Sequence, residues 1–470
     1  MKTLSIALRN LVRNARRSLA TLLGISIGAV AVLLFGGYKA NIDYSMQTAY
    51  VRLGGHLQIQ HKDYFLYGSG NPTAYGVANY KRIIDGIQND PALSAMAVVV
   101  TPTLQFGGIA GNYAADVSRT VIGNGIVASD QARLRVWNQY GLRSEIPAYK
   151  LAQSAPTAAV VGVGLARGLQ LCEALGITDC PRPEQTNAAA QQAMPSELEA
   201  LSMQESKLLA GTSTSSTMPA DSGRIDLLAS NPRGAPNVVA LNIIGAEHQG
   251  FKEFDEVSVV LHLDQAQRLV FGGAPPKATS IVVQLRDTRL TEQAQALITA
   301  RLQDWGGGQP LLVRDFRFLN PFYVQSINMF STIFSFMFVL IGGIVMFTVS
   351  NTMNTTVVER TVEIGTLRAM GLRQAGIRRL FVAEGCALGV AGALIGLAMA
   401  MVCTLVVNQL DLHWLPPGSA TEVPLSLSLW GEWGLIVGTT TGLIAMATAS
   451  AWWPAYRAAR LNVVEALRHV

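Results

Sequence analysis

Charge is scarce in this 470-residue sequence: Asp, Glu, Lys and Arg together make up 14% of it, where soluble domains carry about a quarter. Half of the residues are hydrophobic and the mean hydropathy is +0.29, so a wholly soluble chain is excluded and a membrane protein with a sizeable soluble part is indicated. Histidine and cysteine are few, six and four, and no His stands beside a Cys pair at ligand spacing, which excludes the usual zinc sites. Neither HExxH nor GxSxG occurs, so two familiar hydrolase signatures are missing. No run alternates basic with aromatic residues and the net charge is only +5, so nucleic acid is not an expected partner.

What is present is four long apolar runs. Residues 19–40, 327–350, 380–408 and 430–453 each reach the roughly twenty residues that a bilayer requires. Ahead of the first, residues 1–18 read as an amphipathic helix in the headgroup region. Leu4, Leu8, Leu11 and Ala15 share one face, Arg9, Arg13 and Arg16 the other, Arg17 follows, and no acidic residue occurs before Ser18. A cleaved signal peptide is the alternative, but the apolar run is long for one and Tyr38-Lys39-Ala40 is a poor cleavage site. Gly24 and Gly28 make a GxxxG step in the first run, and Gly385, Gly389, Gly392 and Gly396 a small-residue stripe in the third. Glu384 lies near the start of the third run, where a helix N-terminus favours an acid.

The loops set the expected orientation. Residues 351–379 carry Arg360, Arg368, Arg373, Arg378 and Arg379, and residues 454–470 carry Arg457, Arg460 and Arg468, whereas the loop at 409–429 has no Lys or Arg. The positive-inside rule then puts both termini and the 351–379 segment in the cytoplasm, and residues 41–326 outside. The expected fold is an α-helical membrane protein with four transmembrane helices and a large mixed α/β extracytoplasmic domain inserted between helices 1 and 2.

Within that domain, strand patterns occur at residues 56–61, 96–104, 120–122, 238–244, 256–263, 280–285 and 311–313, and helical patterns at 80–88, 264–270 and 290–302. Residues 41–53 and 316–325 read as stalks that extend the first two spans outward. Residues 181–223 turn to Ala, Gln, Ser, Thr and Pro, the composition of a mobile insertion. Val161-Gly162-Val163-Gly164 approaches a dinucleotide fingerprint, but Arg167 replaces its third glycine and no acidic residue completes it. Cys172 and Cys180 have seven residues between them; outside the cytoplasm a disulfide between them is permitted, though spacing alone does not establish it.

The segment Glu359 to Gly371 joins the second and third runs. Read as a helix it sets Glu359 and Glu363 at i and i+4 beside Arg360, with Ile364, Leu367 and Gly371 on a neighbouring face. A solvated connector and a docking helix for a soluble partner both fit those residues. The cytoplasmic pieces are too short to fold as an ATPase, so any energy must come from elsewhere.

Four patches in order then show a resemblance: Ala7-Leu8-Arg9-Asn10-Leu11 onward to Leu22-Leu23-Gly24-Ile25; Glu359-Arg360-Thr361-Val362-Glu363-Ile364-Gly365-Thr366-Leu367-Arg368-Ala369-Met370-Gly371; Leu380-Phe381-Val382-Ala383-Glu384-Gly385; and Pro454-Ala455-Tyr456-Arg457 to Glu465-Ala466-Leu467-Arg468. With the four-span layout they resemble the MacB/FtsX family of ABC-transporter permeases without their own ATPase domain, and are closer to the lipoprotein-releasing permeases than to the members fused to an ATPase. The resemblance implies a bacterial inner-membrane half-transporter that pairs with a second permease subunit, identical or homologous, and binds a cytoplasmic ABC ATPase dimer. ATP and Mg would then be held by that partner, with no cofactor or metal on this chain and no enzymatic activity of its own. Glu359, Arg360, Glu363, Ile364, Gly365, Leu367, Arg368, Met370 and Gly371 become the ATPase-coupling helix. The external domain would act on lipoprotein, lipid or another periplasmic substrate, or meet a periplasmic or outer-membrane partner. The rival expectation is a signalling module that regulates extracytoplasmic hydrolases and transports nothing.

Overall fold

The computed structural model describes residues 15–68, 70–142, 148–177, 223–249, 252–410, 412–414 and 423–461. The expected headgroup helix before Ala15, the insertion as far as residue 222 and the tail beyond Leu461 lie outside the described residues, and with them Arg9, Arg13 and Cys180.

In chain order the principal elements are α1 (Ala15–Gly54), β1 (Leu57–His61), α2 (Tyr80–Asn89), α3 (Pro91–Met96), β2 (Ala97–Asn112), β3 (Val117–Ile126), β4 (Ala158–Gly162), α4 (Val163–Gly168), β5 (Arg224–Ser230), β6 (Pro236–Glu247), β7 (Ser258–His262), α5 (Leu263–Phe271), β8 (Ser280–Leu285), α6 (Thr291–Gly306) and β9 (Leu311–Asp315). Then come α7 (Pro321–Glu359), α8 (Thr361–Ala369), α9 (Gln374–Gln409) and α10 (Trp433–Ala459). The chain divides into two compact units. One holds α1 up to Gln47, residues Asn320–Trp414 and those from Val423; the other holds Thr48–Leu319.

Four helices, Ser18–Gly54, Pro321–Glu359, Gln374–Gln409 and Trp433–Ala459, are long and apolar enough to cross a bilayer. At 1.5 Å per residue they run about 40 to 58 Å, well beyond a hydrocarbon core of about 30 Å. The first continues without a break through residues 41–53. The second begins at Pro321, while Phe316–Leu319 forms a separate helical turn. The missing N–H of proline is harmless at the first helical position, so a helix starts there and does not run through it.

Small residues let these helices approach. Gly28 of α1 faces Ile341 and Val345 of α7. The four glycines of α9 do not meet one partner: Gly385 and Gly389 lie against Ala447 and Ala451 of α10, and Gly392 and Gly396 against Ile25, Ser26 and Ala29 of α1. Their stripe is about 17 Å long, enough for two neighbours to cross it in succession. Polar groups close these seams, with Ser26 Oγ donating to the Gly392 carbonyl at 3.0 Å and the Thr21 and Thr352 hydroxyls 2.8 Å apart. Further along α1, Asp43 accepts from the Tyr323 hydroxyl at 2.6 Å, and Asn41 from Ser426 and Ser428 at 2.9 and 3.3 Å.

The second unit is organised by β2, whose 16 residues change partners midway within one nine-stranded sheet. Its first half pairs with β8, which pairs with β1, which pairs with β9, all antiparallel. Its second half pairs with both β3 and β5. Since β5 leads through β6, β4 and β7 back to β3, those six strands close into a barrel. Leu104, Phe106, Val121, Val161, Leu227, Leu241 and Leu261 fill one core with Leu165 of α4 and Leu269 and Val270 of α5. Leu57, Ile59, Ile281 and Val283 form another with Ile83 and Ile87 of α2, Leu93 of α3, and Ile298 and Leu302 of α6. His56, just before β1, is fully buried. Its Nδ1 accepts the Leu285 N–H at 3.0 Å and its Nε2 lies 3.1 Å from the Thr288 hydroxyl, so the ring is held neutral with its proton on Nε2.

Candidate coupling site

Between α7 and α8 the backbone breaks at a single residue. Arg360 is at once the C-cap of α7 and the N-cap of α8, with φ −103° and ψ 15°. Its N–H still bonds the Thr356 carbonyl at 3.1 Å, and its own carbonyl accepts the Ile364 N–H at 2.9 Å, so one ladder ends where the next begins. The side chain turns inward and is only 7% exposed. Its Nη1 stands 3.6 Å from Glu384 Oε2 of α9, itself 4% exposed, and its Nε 3.4 Å from Glu363 Oε2, which is 52% exposed. An uncompensated charge at such a depth is costly, and the pairing offsets that cost.

The far end of α8 is closed by backbone geometry. The Leu372 N–H bonds the Leu367 carbonyl and the Gly371 N–H the Arg368 carbonyl, both at 3.0 Å, with Gly371 at φ +92°. This is the Schellman stop, and the left-handed position explains the glycine. Arg368 Nη1 donates to the Leu461 carbonyl just beyond α10, tying α8 to that helix end.

The two faces of α8 are now distinct. Ile364 is 3% exposed and packs with Val357, Ile377 and Phe381, while Leu367 is partly buried against the same cluster. Gly365 is also buried and Arg368 half-buried. The outward side carries Glu359, Val362, Glu363, Thr366, Ala369, Met370 and Gly371, with Met370 72% and Val362 46% exposed. Of the residues expected to form a docking face, Glu359, Glu363, Met370 and Gly371 are therefore exposed, and Arg360, Ile364, Gly365 and Leu367 are turned into the chain's own bundle. Val362, Thr366 and Ala369 were missing from the expected face. The signal for the inward side was the spacing of Val357, Arg360, Ile364 and Leu367, steps of three and four that continue the buried stripe of α7 across the break.

Elsewhere, Arg16 is exposed. Cys172 is disulfide-bonded, and its expected partner Cys180 lies outside the described residues. Cys386 and Cys403 are free thiols on α9. Among the described residues no group of three His, Cys, Asp or Glu is arranged to hold a metal ion.

The model of the FtsX-like permease C-terminal domain matches residues 332–463, from within α7 through α8 and α9 to just past α10. Over 145 residues the chain is 30% identical to the macrolide export ATP-binding/permease protein MacB of Bdellovibrio bacteriovorus, covering 31% of this chain and 20% of that one. Over 244 residues it is 24% identical to the lipoprotein-releasing system transmembrane protein LolC of Xylella fastidiosa, covering 50% of this chain and 56% of that one. Residues 332–463 are therefore an FtsX-like permease domain, and the chain is similar to permeases of the MacB and LolC kind. An uncharacterized ABC transporter permease of Methanocaldococcus jannaschii is 27% identical over 230 residues, 48% of this chain and 54% of that one. The chain thus spans about half the length of the LolC and archaeal relatives it matches. This family match takes in the whole elbow, from Arg360 and Glu384 to Arg368.

Proposed function

We propose that this chain is the permease subunit of an ABC transporter, coupling ATP hydrolysis by a separate cytoplasmic ATPase to movements of an extracytoplasmic domain. The observation that carries the reading is α8 itself, a short helix between two spans with one side anchored in the bundle and the other left open with apolar and acidic groups. A helix that only connected spans would have no use for an exposed Met370 and Val362 beside Glu359 and Glu363. With the arginine-rich 351–379 segment in the cytoplasm, α8 meets the ATPase, which holds the ATP and Mg, and Thr48–Leu319 lies outside the membrane. The subunit works with a second copy or a homologue, and its substrate is a lipoprotein, a lipid or another periplasmic molecule, as the names of its LolC relatives suggest.

The test is purification from native membranes with every bound protein and lipid identified, alongside Met370→Glu and Val362→Glu. The expected result is an ABC ATPase in the wild-type complex, lost at least tenfold from both variants while their elution and melting are unchanged. Retention of the ATPase with full turnover in both variants overturns the docking face. Recovery of a soluble hydrolase, with no cargo moved, decides instead for a signalling module.

A further inference from the structure

Tryptophan stands at both ends of α10. Trp430 and Trp433 lie at its start, Trp452 and Trp453 near its end, and all four are exposed on the bundle. Along the helix, Trp433 and Trp452 are about 29 Å apart. A hydrocarbon core is about 30 Å thick, so the pairs fit the two interfaces where tryptophan collects. The two ends differ in charge. The first carries Glu432, whose carboxylate accepts the Tyr44 hydroxyl; the second carries arginines and no acid as far as Leu461.

Those arginines lie on aromatic rings. Arg378 of α9 stands 5.1 Å from the centroid of Trp452, Arg457 5.7 Å from that of Trp453, and Arg460 4.4 Å from that of Tyr456. The Trp453 and Tyr456 rings are themselves stacked, 6.5 Å apart. At about 3.6 residues per turn, positions 452, 453, 456, 457 and 460 share one side of the helix, opposite the buried Ala451, Pro454, Ala455 and Ala458. Stacking occupies the face of a guanidinium and leaves its N–H groups directed outward in the plane. Among the described residues these three guanidinium groups form no ion pair and donate to no acceptor. Arg457 is one turn past Trp453, about 6 Å, which places it in the headgroup layer beyond the hydrocarbon edge.

We propose that this face of α10, with Arg378 of α9, is a binding site for an anionic phospholipid. The headgroup phosphate meets the in-plane N–H groups of the arginines, and the acyl chains lie along the rings of Trp452 and Trp453. Three observations choose a lipid as the occupant: the face ends a span of bilayer length, its positive charge is opposed by no acid, and its rings offer an apolar surface that a water-borne anion would not use. Phosphatidylcholine also has a phosphate, but its choline carries a cation toward the arginines. Phosphatidylglycerol carries none, so its net charge is complementary.

The test needs no ATPase. The full chain, with Trp414→Phe, Trp430→Phe and Trp433→Phe so that Trp452 and Trp453 are the tryptophans left outside the second unit, is placed in phosphatidylcholine vesicles. Part of the lipid is replaced by brominated phosphatidylglycerol or brominated phosphatidylcholine, and tryptophan quenching is compared at equal mole fraction. One arginine near an anionic surface is worth about fivefold in binding, so brominated phosphatidylglycerol should be preferred by at least about that factor. The preference should fall to near one in the triple variant Arg378→Gln, Arg457→Gln and Arg460→Gln. If that variant does not fold, Arg457→Gln alone, at an exposed position, should cut the preference by about half or more. Arg378→Lys, Arg457→Lys and Arg460→Lys together keep the charge and lose the planar fork, and most of the preference should go with it. Full retention in the lysine variant marks a diffuse positive surface and overturns the site, as does equal quenching by the two lipids in the starting protein. Loss of the ABC ATPase from the glutamine variant, with no lipid preference to begin with, gives the face to a protein partner and also overturns it. Each of these failures leaves the docking face of α8 to be judged separately, by ATPase retention in Met370→Glu and Val362→Glu.

Discussion

Gly396 of α9 lies directly against Ala29 of α1: a Cβ on that glycine would come within 2.5 Å of the alanine Cβ and 2.8 Å of the Ser26 carbonyl oxygen. The seam between these two spans therefore has no room for a side chain. Gly396→Val should lower stability by about 1–3 kcal/mol through overpacking, read as an earlier melting transition in detergent. Gly438→Ala on α10, where nothing stands within 4 Å, should leave the transition in place.

Gly371 presents a different demand. Space is open around it, but φ is +92°, so Gly371→Ala carries backbone strain of about 1–2 kcal/mol and no clash. Faster hydrogen exchange at the Gly371 and Leu372 amides, with the rest of the bundle unchanged, is the expected signature. Unchanged protection there would mean that the α8 stop does not depend on the glycine.

His56 should make the second unit sensitive to acid. Burial pushes its imidazole down to about 4 from an ordinary 6.5, with Asp287 opposing weakly. Between those values the unfolded chain binds the proton and the folded one does not, so stability is full above about 6.5 and falls as pH drops toward 4, by up to about 3 kcal/mol. Denaturation of the full chain at pH 7 and pH 4.5 checks this. His56→Gln should flatten the pH dependence while lowering stability throughout.

Inside the barrel, Gly123 is the cross-strand partner of Phe106, whose ring lies over it. Gly123→Val would drive a branched side chain into that ring, in a core where Phe106 is 2% exposed. A loss of about 1–3 kcal/mol is expected, visible as protease sensitivity of the second unit. The same substitution at Gly107, with nothing within 4 Å, is the control.

Elements driven by one strong local pattern were readable from the sequence. Ser280–Leu285 is a buried strand because six residues bounded by breakers have little else to do, and the spans announce themselves by length. The elbow was readable only in part. Val358 and Val362 are as apolar as Ile364 and Leu367, so hydrophobicity alone cannot say which side of so short a helix turns inward. Nothing local links Arg360 to Glu384, which meet only because α7 and α9 pack together. Arg224–Ser230 pairs with both β2 and β6, yet it follows a Ser- and Thr-rich stretch whose composition masks the strand. Barrel closure depends on β2 changing partners midway, a matter of register that alternation does not encode.

That change of partners also has a cost during synthesis. The second half of β2 finds β3 within a few residues, but the first half, with Val99 and Val100, waits for its partners Gln284 and Val283 of β8, made about 180 residues later. At ordinary translation rates this is roughly ten to thirty seconds, during which an apolar strand edge stands open to aggregation. Production of this protein will therefore respond to holdase supply and to the pace of the ribosome more than a locally paired sheet would.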